Sequence, residues 1–371
     1  MKHVYDENQI LFSRIRLKKG TKAYEDFYRK NPAYQQGDDA IRGDDFEEGM
    51  KKSASFQALF NPIYQSSMPL LKSMHDTVEA MPVNKKRASM PKHFHENIKE
   101  ITKLYGATDV GIVQLKDEHY YAKHGLTSAS LGKDHVNVPI KKQYKTAIVY
   151  MIPMDKDYIN RSPHYEEMLE TMTAYQDIAV IGAGLAMYLK GIGFKSMFQS
   201  IEYYETPLVP LAYDAGLGEI GMSNHIIHPI YGDRIRLGAV LTTLELKADQ
   251  PIDFGLESFC KRCGLCVMNC PMQSIKPQKR IVNGRTFYKF DDQSCYKMWK
   301  NVGNDCGVCI QSCPYAQGID LKTQAWMRNQ PDRIDQFLKE YLEKTGPSRR
   351  YQIKTPLPIV KEHEDDERNN D

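Results

Sequence analysis

Eight cysteines, all lying between Cys260 and Cys313, constrain this 371-residue chain more than any other feature. A disulfide framework staples a whole small secreted chain, whereas thiols crowded into one short segment read as metal ligands in a reducing compartment. The first run is Cys260, Cys263, Cys266 and Cys270 followed by Pro271, a C-x2-C-x2-C-x3-C-P spacing. The second is Cys295, then Cys306, Cys309 and Cys313 followed by Pro314, with the leading gap stretched. Two such runs match a pair of [4Fe–4S] clusters. Three closely spaced thiolates wrap one cubane, and the fourth, redirected by its proline, reaches the other. The spacing therefore predicts cluster one on Cys260, Cys263, Cys266 and Cys313, and cluster two on Cys295, Cys306, Cys309 and Cys270. Structural zinc wants four ligands in C-x2-C pairs across a long spacer and has no use for two runs of this kind.

Two clusters mean electron transfer. About 250 residues precede them, so a ferredoxin alone does not account for the chain, and the larger part should house the electron acceptor. With 26% charged and 41% hydrophobic residues, the composition is that of a globular protein. Lys plus Arg number 50 against 47 Asp plus Glu, and this near balance predicts no nucleic-acid partner. Mean hydropathy is −0.55. The longest apolar stretch, Ile178 to Leu189, is twelve residues, where a membrane-spanning helix needs about 20. The amino end shows no secretory signal, and the Arg349-Arg350 pair lies too near the carboxyl end to be a twin-arginine signal. The expectation is a cytoplasmic protein that requires no membrane-anchor subunit.

Texture along the chain predicts four regions. Residues 1–100, charged and Tyr-rich with short apolar stretches such as Ala58 to Pro62, read as helices and loops packing on a core. Residues 101–250 read as an α/β core, residues 251–320 as the cysteine module, and residues 321–371 as a segment completing the core. Strands are expected over Thr108–Leu115, Lys145–Ile152 (ended by Pro153) and Arg236–Leu244. A long helix is expected over Glu166–Lys190, apolar nearly all round from residue 178 and so buried, closed by Gly191 and Gly193. From Lys354 the chain reads as a Pro-containing strap with a frayed acidic tail.

Some motifs mislead. Gly216, Gly218 and Gly221 fit G-x-G-x-x-G, and Glu245 stands where a ribose-binding acid would. Yet Pro207 and Pro210 interrupt the segment before the glycines, and Pro229 and Gly232 leave room for barely two helical turns after them. A tight turn that lets backbone approach a flat cofactor fits better than a nicotinamide site. His225 and His228 lack a nearby carboxylate ligand in sequence and read as ordinary side chains. Neither an Asp-x-His-x-x-Gly pattern, by which some cobalamin proteins supply an axial His, nor a P-loop occurs.

Together these features resemble the catalytic subunit of reductive dehalogenases. The likeness runs through the segment from Asp6 to Arg29, the stretch Ala215 to Gly221 followed by His228 to Leu237, and the two cysteine runs. It implies an α+β fold: a nitroreductase-like α/β core that holds a corrinoid beside a bacterial ferredoxin-like module with two [4Fe–4S] clusters. It also implies an organohalide substrate and an external low-potential electron donor, such as a ferredoxin, a flavodoxin or a reductase. By the same likeness Tyr175, eighteen residues before Gly193-Phe194, is the expected proton donor, and Arg236, after Gly232, its cationic partner. Gly216, Gly218 and Gly221 are expected near the corrinoid, whose cobalt takes no protein His. A third polar position of the family, an Asn, has no match in Gln199 to Tyr204. Two other readings compete. Epoxyqueuosine reductase, which acts on tRNA, shares the glycine motif and cysteine runs. Its Asp-Tyr-His signature is absent here, however, and only 58 residues follow Cys313, with no helical repeat. The other is a non-catalytic iron–sulfur or corrinoid electron-transfer protein.

Overall fold

The computed structural model describes residues 4–42, 61–127, 136–201 and 203–346. Arg349-Arg350, the strap from Lys354, the acidic tail and residues 58–60 of the Ala58–Pro62 stretch lie outside the described residues.

One sheet organises residues 101–250. Its strands are β1 (Asp109–Gln114), β2 (Thr146–Pro153), β3 (Ser196–Gln199) and β6 (Ile235–Thr242), in the order β1-β2-β6-β3. Every neighbouring pair is antiparallel, with Ile148 opposite Ile112 and Val240, and Phe198 opposite Val240. Two further strands, β4 (Glu219–Ile220) and β5 (Ile226–Ile227), pair beside it. β2 reads TAIVYMIP because both its faces are covered. Ile148, Tyr150 and Ile152 point into one hydrophobic cluster, and Ala147, Val149 and Met151 into another. The expected strands thus form within one or two residues of their predicted ends. β3 was not anticipated, because four residues, SMFQ, give too short a run for alternation to show.

The helices before the sheet are α1 (Leu11–Ile15), α2 (Lys22–Lys30), α3 (Pro32–Ile41), α4 (Asn61–Ala80) and α5 (Phe94–Leu104). Within the core come α6 (Lys156–Ile159), α7 (Tyr165–Gly191) and α8 (Leu208–Asp214). α7 is the predicted long helix. It packs on the sheet through Ala174, Ile178, Ile181 and Leu185, and α4 and α5 add Leu71, Val78 and Ile98 to the same cluster. It is not buried all round: Val180 is 55% exposed, so one stripe of its apolar stretch faces outward. On the opposite face of the sheet α8 contributes Leu211 and Ala212.

The cysteine module contains α9 (Leu256–Cys263), α10 (Leu265–Asn269), the hairpin β7 (Ile275–Val282) and β8 (Arg285–Phe290), α11 (Asp292–Val302), α12 (Val308–Gln311) and α13 (Pro314–Gln317). After it come α14 (Leu321–Met327) and α15 (Pro331–Thr345). The expectation that the segment after residue 320 completes the α/β core needs correction. Met327, Ile334 and Leu338 pack instead with Leu256, Phe259 and Leu265 of the module, and Ile227 is the neighbour they share with the glycine-rich turn. The physical reason is that α9 is amphipathic and would otherwise leave its apolar face in water. No described helix is long and apolar enough to cross a membrane.

Candidate active site

Short helices present the cysteines. Gly264, Gly303 and Gly307 take left-handed conformations at helix ends, which lets each thiol-bearing turn reverse tightly. None of the eight cysteines is in a disulfide, and they fall into two neighbourhoods. Cys313 has Cys260 and Cys263 as its sulfur neighbours, and Cys266 has the same two. Cys306 has Cys295 and Cys270. Cys309 lies beside Cys306 and Cys295 and also senses Cys266, where the neighbourhoods meet. Burial pushes the thiols of Cys260, Cys295 and Cys306 up to about 12, so loading with iron has to displace protons. Backbone amides offset this in part at Cys260 and Cys306, and another serves Cys313; separately, the amide of Ser274 donates to Cys270 Sγ at 3.2 Å. Among the described residues no three His, Cys, Asp or Glu side chains close around a point as a single tetrahedral ion requires.

A cavity of about 770 Å³ lies between the core and the module. Cys270, Cys295, Cys306 and Cys309 line one side, and Tyr175 and Arg236 are also in its wall. None of Cys260, Cys263, Cys266 and Cys313 lines it. The structure thus brings the predicted Tyr and Arg to the same chamber as one cysteine set. Helix α7 supplies a stripe at four-residue spacing, Glu167, Thr171 and Tyr175, all in the cavity wall. Arg236 reaches across from β6. Its guanidinium carbon sits 4.7 Å from the centre of the Tyr175 ring, and its Nη2 donates to Thr171 Oγ1 at 2.7 Å. The cation therefore lies over the face of the phenol ring rather than being aimed at its oxygen.

Sequence reasoning missed Glu167, Thr171 and Asp305, although the Glu-x3-Thr-x3-Tyr spacing was there to be read. Glu167 is 1% exposed. Burial, and then the charge and hydrogen bond of Asp305, push its carboxyl well above the usual range, so it stays protonated against its neighbour.

The glycines are placed differently from the chamber residues. A Cβ on Gly218 would stand 2.3 Å from the Ile227 carbonyl oxygen, and one on Gly216 2.5 Å from that of Gln250. Gly221 abuts the Ile227 side chain. The close backbone approach that the motif predicts is thus an approach to β5 and the residue 250 segment, and the cavity wall begins just beyond, at Ser223 and His225. His225 and His228 part company: His225 Nδ1 lies 3.1 Å from buried Asp233, and His228 Nε2 lies 3.3 Å from Asp109.

At about 770 Å³ the chamber has room for a large ligand. Its walls are mostly apolar, with Met168, Met172, Ile178 and Ile201. Yet lining residues carry buried polar atoms without a protein partner, namely Ser200 Oγ and Arg236 Nε. Open polar groups in a cavity wall are positions that a bound ligand can meet.

Comparisons with known proteins agree with this geometry. A family model described as a 4Fe-4S dicluster domain matches residues 259–317. The tetrachloroethene reductive dehalogenase of Sulfurospirillum multivorans is 28% identical over 182 residues, covering 47% of this chain and 36% of that protein. The trichloroethene reductive dehalogenase of Dehalococcoides mccartyi is 28% identical over 165 residues, covering 42% and 28%. An epoxyqueuosine reductase of Lactococcus garvieae is 29% identical over 153 residues, covering 37% and 42%. These matches take in only about a third of the length of the dehalogenases. Among solved structures, a catabolic reductive dehalogenase, NpRdhA, superposes with a TM-score of 0.72 over 94% of this chain and 47% of that one, at 22% identity. The chain therefore shares the fold of this reductive dehalogenase. Its named relatives include reductive dehalogenases and an epoxyqueuosine reductase.

Proposed function

We propose that the protein is a reductive dehalogenase, replacing the halogen of an organohalide by hydrogen with electrons passed through two [4Fe–4S] clusters to a corrinoid. The observation that carries this reading is the single chamber with one cysteine set on one side and the Tyr175–Arg236 pair in its wall. We read the core as nitroreductase-like, and the four regions of the chain keep the roles given by the sequence, apart from the helices after residue 320.

Replacing C–X by C–H takes two electrons and one proton and releases halide. Residues of the chamber wall, Tyr175, Arg236, Met168 and Met172 among them, would hold a corrinoid, which would supply the redox chemistry for reducing a carbon–halogen bond. The crossed cysteine sets hold the two clusters. The Tyr175 hydroxyl gives the proton to carbon. A phenol has an ordinary pKa of about 10 and is a poor donor near neutrality. The Arg236 guanidinium lies over the ring face and holds the phenol in place in the chamber wall. Thr171 fixes that guanidinium, and the protonated Glu167 keeps a second negative charge out of the stripe. Met168, Met172 and Ile178 exclude water from the site. Electrons come from an external low-potential donor.

Protein purified or reconstituted anaerobically should carry about eight iron, eight sulfide and one cobalt per chain, and should release halide from a panel of chlorinated ethenes and halogenated phenols when driven by reduced viologen. Stoichiometric zinc without iron, or no cobalt uptake, overturns the reading. The cobalt(II) electron paramagnetic resonance spectrum should lack nitrogen splitting. If splitting appears, the absence of a protein ligand is wrong and His225, the histidine of the cavity wall, is the residue to test.

A further inference from the structure

We propose that Asp233 is a potential-setting residue: a negative charge buried where the two cysteine sets meet, which lowers the reduction potentials of the clusters they hold. The inference rests on the proposed function only for the two [4Fe–4S] clusters. It names no substrate and no electron donor.

Packing places the carboxylate at that junction. Asp233 lies in the turn between β5 and β6, and the contacts on either side of it fasten that turn to the module. Gly232, with a φ of 61°, presses on α13: a Cβ there would come 2.2 Å from the amide nitrogen of Ala316, three residues after Cys313. Arg234 Nε donates to the Ala316 carbonyl at 3.2 Å. Asp233 is thus pinned from both sides. Its side chain is held by the preceding hairpin. Ser223 Oγ donates to Oδ2 at 3.4 Å and His225 Nδ1 at 3.1 Å, since a carboxylate only accepts. Met222, next to Ser223, belongs to an apolar cluster on which Cys260, Cys266, Cys270 and Cys309 pack, and these come from both sets. Burial, and then the charge of Asp233, push the thiols of Cys309 and Cys313 well above the ordinary range. Those two cysteines belong to different sets.

The charge is poorly screened. Asp233 is 3% exposed, and its Oδ1 accepts no hydrogen bond from the protein. The neighbouring Arg234 directs its guanidinium to the Met154 and Ala316 carbonyls. Among the described residues no Lys or Arg forms an ion pair with Asp233, and His225, which does, is charged only when protonated. An electron added beside a buried anion is held less tightly, so the reduced clusters become stronger donors. A purely structural Asp233 would instead tie Ser223 and His225 into the turn and leave the potentials alone.

Anaerobic titration of the iron-loaded protein with titanium(III) citrate, followed by electron paramagnetic resonance at one pH and salt concentration, separates the two without any dehalogenation. Each wave moves one electron from titanium(III), which becomes titanium(IV), to one oxidised cluster, and no bond forms or breaks in the protein. Asp233→Asn keeps the size and an acceptor oxygen and removes the charge. Both midpoint potentials should rise, their mean by at least tenfold in the reduction equilibrium constant, about 59 mV for one electron. Asp233→Glu, which keeps the charge, should stay close to the parent. Ser223→Ala removes a tie and keeps the charge, so it should not move the potentials. Parental potentials in Asp233→Asn, or an equal rise in Ser223→Ala, overturn the proposal. Should Asp233→Asn take up no iron, Asp233→Ser is titrated under the same criteria. Loss of iron in both makes Asp233 a folding residue and likewise overturns it. A protein whose potentials shift as expected but which releases no halide would overturn the dehalogenase reading and leave the role of Asp233 standing.

Discussion

Tyr175 stands above Thr171 and Glu167 on one stripe of α7, and the distances say how each side chain acts. Tyr175→Phe keeps the ring beneath Arg236 and removes only the hydroxyl. Iron and cobalt contents should therefore hold while turnover falls about 10²–10⁴-fold, the usual span for a general acid. Full cofactor with parental turnover would acquit Tyr175 and turn attention to Tyr203-Tyr204. Arg236→Lys keeps the charge but loses the planar fork that both covers the ring and reaches Thr171, so most activity should go with it. Away from the chamber, Glu205 offers a test by pH. Burial, reinforced by Glu79, raises its carboxyl to about 7, against an ordinary 4.5 when unfolded. The folded state thus binds the extra proton. Its contribution is fully present below about 4.5 and is lost as pH rises through about 7. Glu205→Gln should remove that slope and leave the variant more stable than the parent above pH 7, by no more than about 3 kcal/mol. Urea melts of the two proteins at pH 5 and pH 8 would show it.

At the scale of elements, Tyr150 on β2 decides how α7 lies on the sheet. Its hydroxyl donates to the Ile178 carbonyl at 2.7 Å, and the ring is fully buried. Two glycines make room for it: a Cβ on Gly182 would come within 2.4 Å of the hydroxyl oxygen, and one on Gly238 within 2.4 Å of the ring. Gly238→Ala should cost about 1–3 kcal/mol through overpacking, and Tyr150→Phe about 1 kcal/mol through the lost hydrogen bond. In a Tyr150→Leu background the penalty of Gly238→Ala should shrink, because the colliding atoms are gone. A double-mutant cycle by denaturant unfolding measures this, and additive penalties would contradict the wedge. Since α7 carries Tyr175 and β6 carries both Gly238 and Arg236, the wedge also sets the spacing of the candidate pair.

Across the whole molecule, two buried arginines fasten the cysteine module to the rest. Arg14, from α1, donates to Asp38 of α3 and to Asp292, which opens the helix carrying Cys295. Arg285 of the hairpin binds Asp214 at the end of α8, where His119 Nε2 also lies 2.8 Å from the carboxylate. Arg14→Met leaves the fully buried Asp38 uncompensated and should cost about 3–5 kcal/mol. Because Asp292 sits three residues before Cys295, iron content should fall along with stability, and iron analysis after gel filtration would report it. Unchanged iron in a destabilised variant would confine Arg14 to the amino-terminal region.

Local chemistry made much of this protein legible before folding was considered. The cysteine runs carry their own spacing, and β1, β2, β6 and α7 carry hydrophobic patterns long enough to exceed chance, so their positions were readable to within a residue or two. Four residues of β3 carry no such pattern, and pairing with β6 alone makes them a strand. Tertiary structure alone decided where α14 and α15 pack, because an amphipathic helix declares that it has an apolar face and not which neighbour will cover it. It also decided what the glycines at 216, 218 and 221 approach. The sequence shows that backbone comes close there, and only the fold shows that the backbone is that of β5 and Gln250. The chamber itself belongs to the same class. Glu167 and Thr171 precede Tyr175 on one helix, but Arg236 and the cysteines arrive from 61 or more residues further along the chain. Their meeting is a long-range packing outcome, set by the Tyr150 wedge and the Arg14 and Arg285 clamps, which no local pattern records.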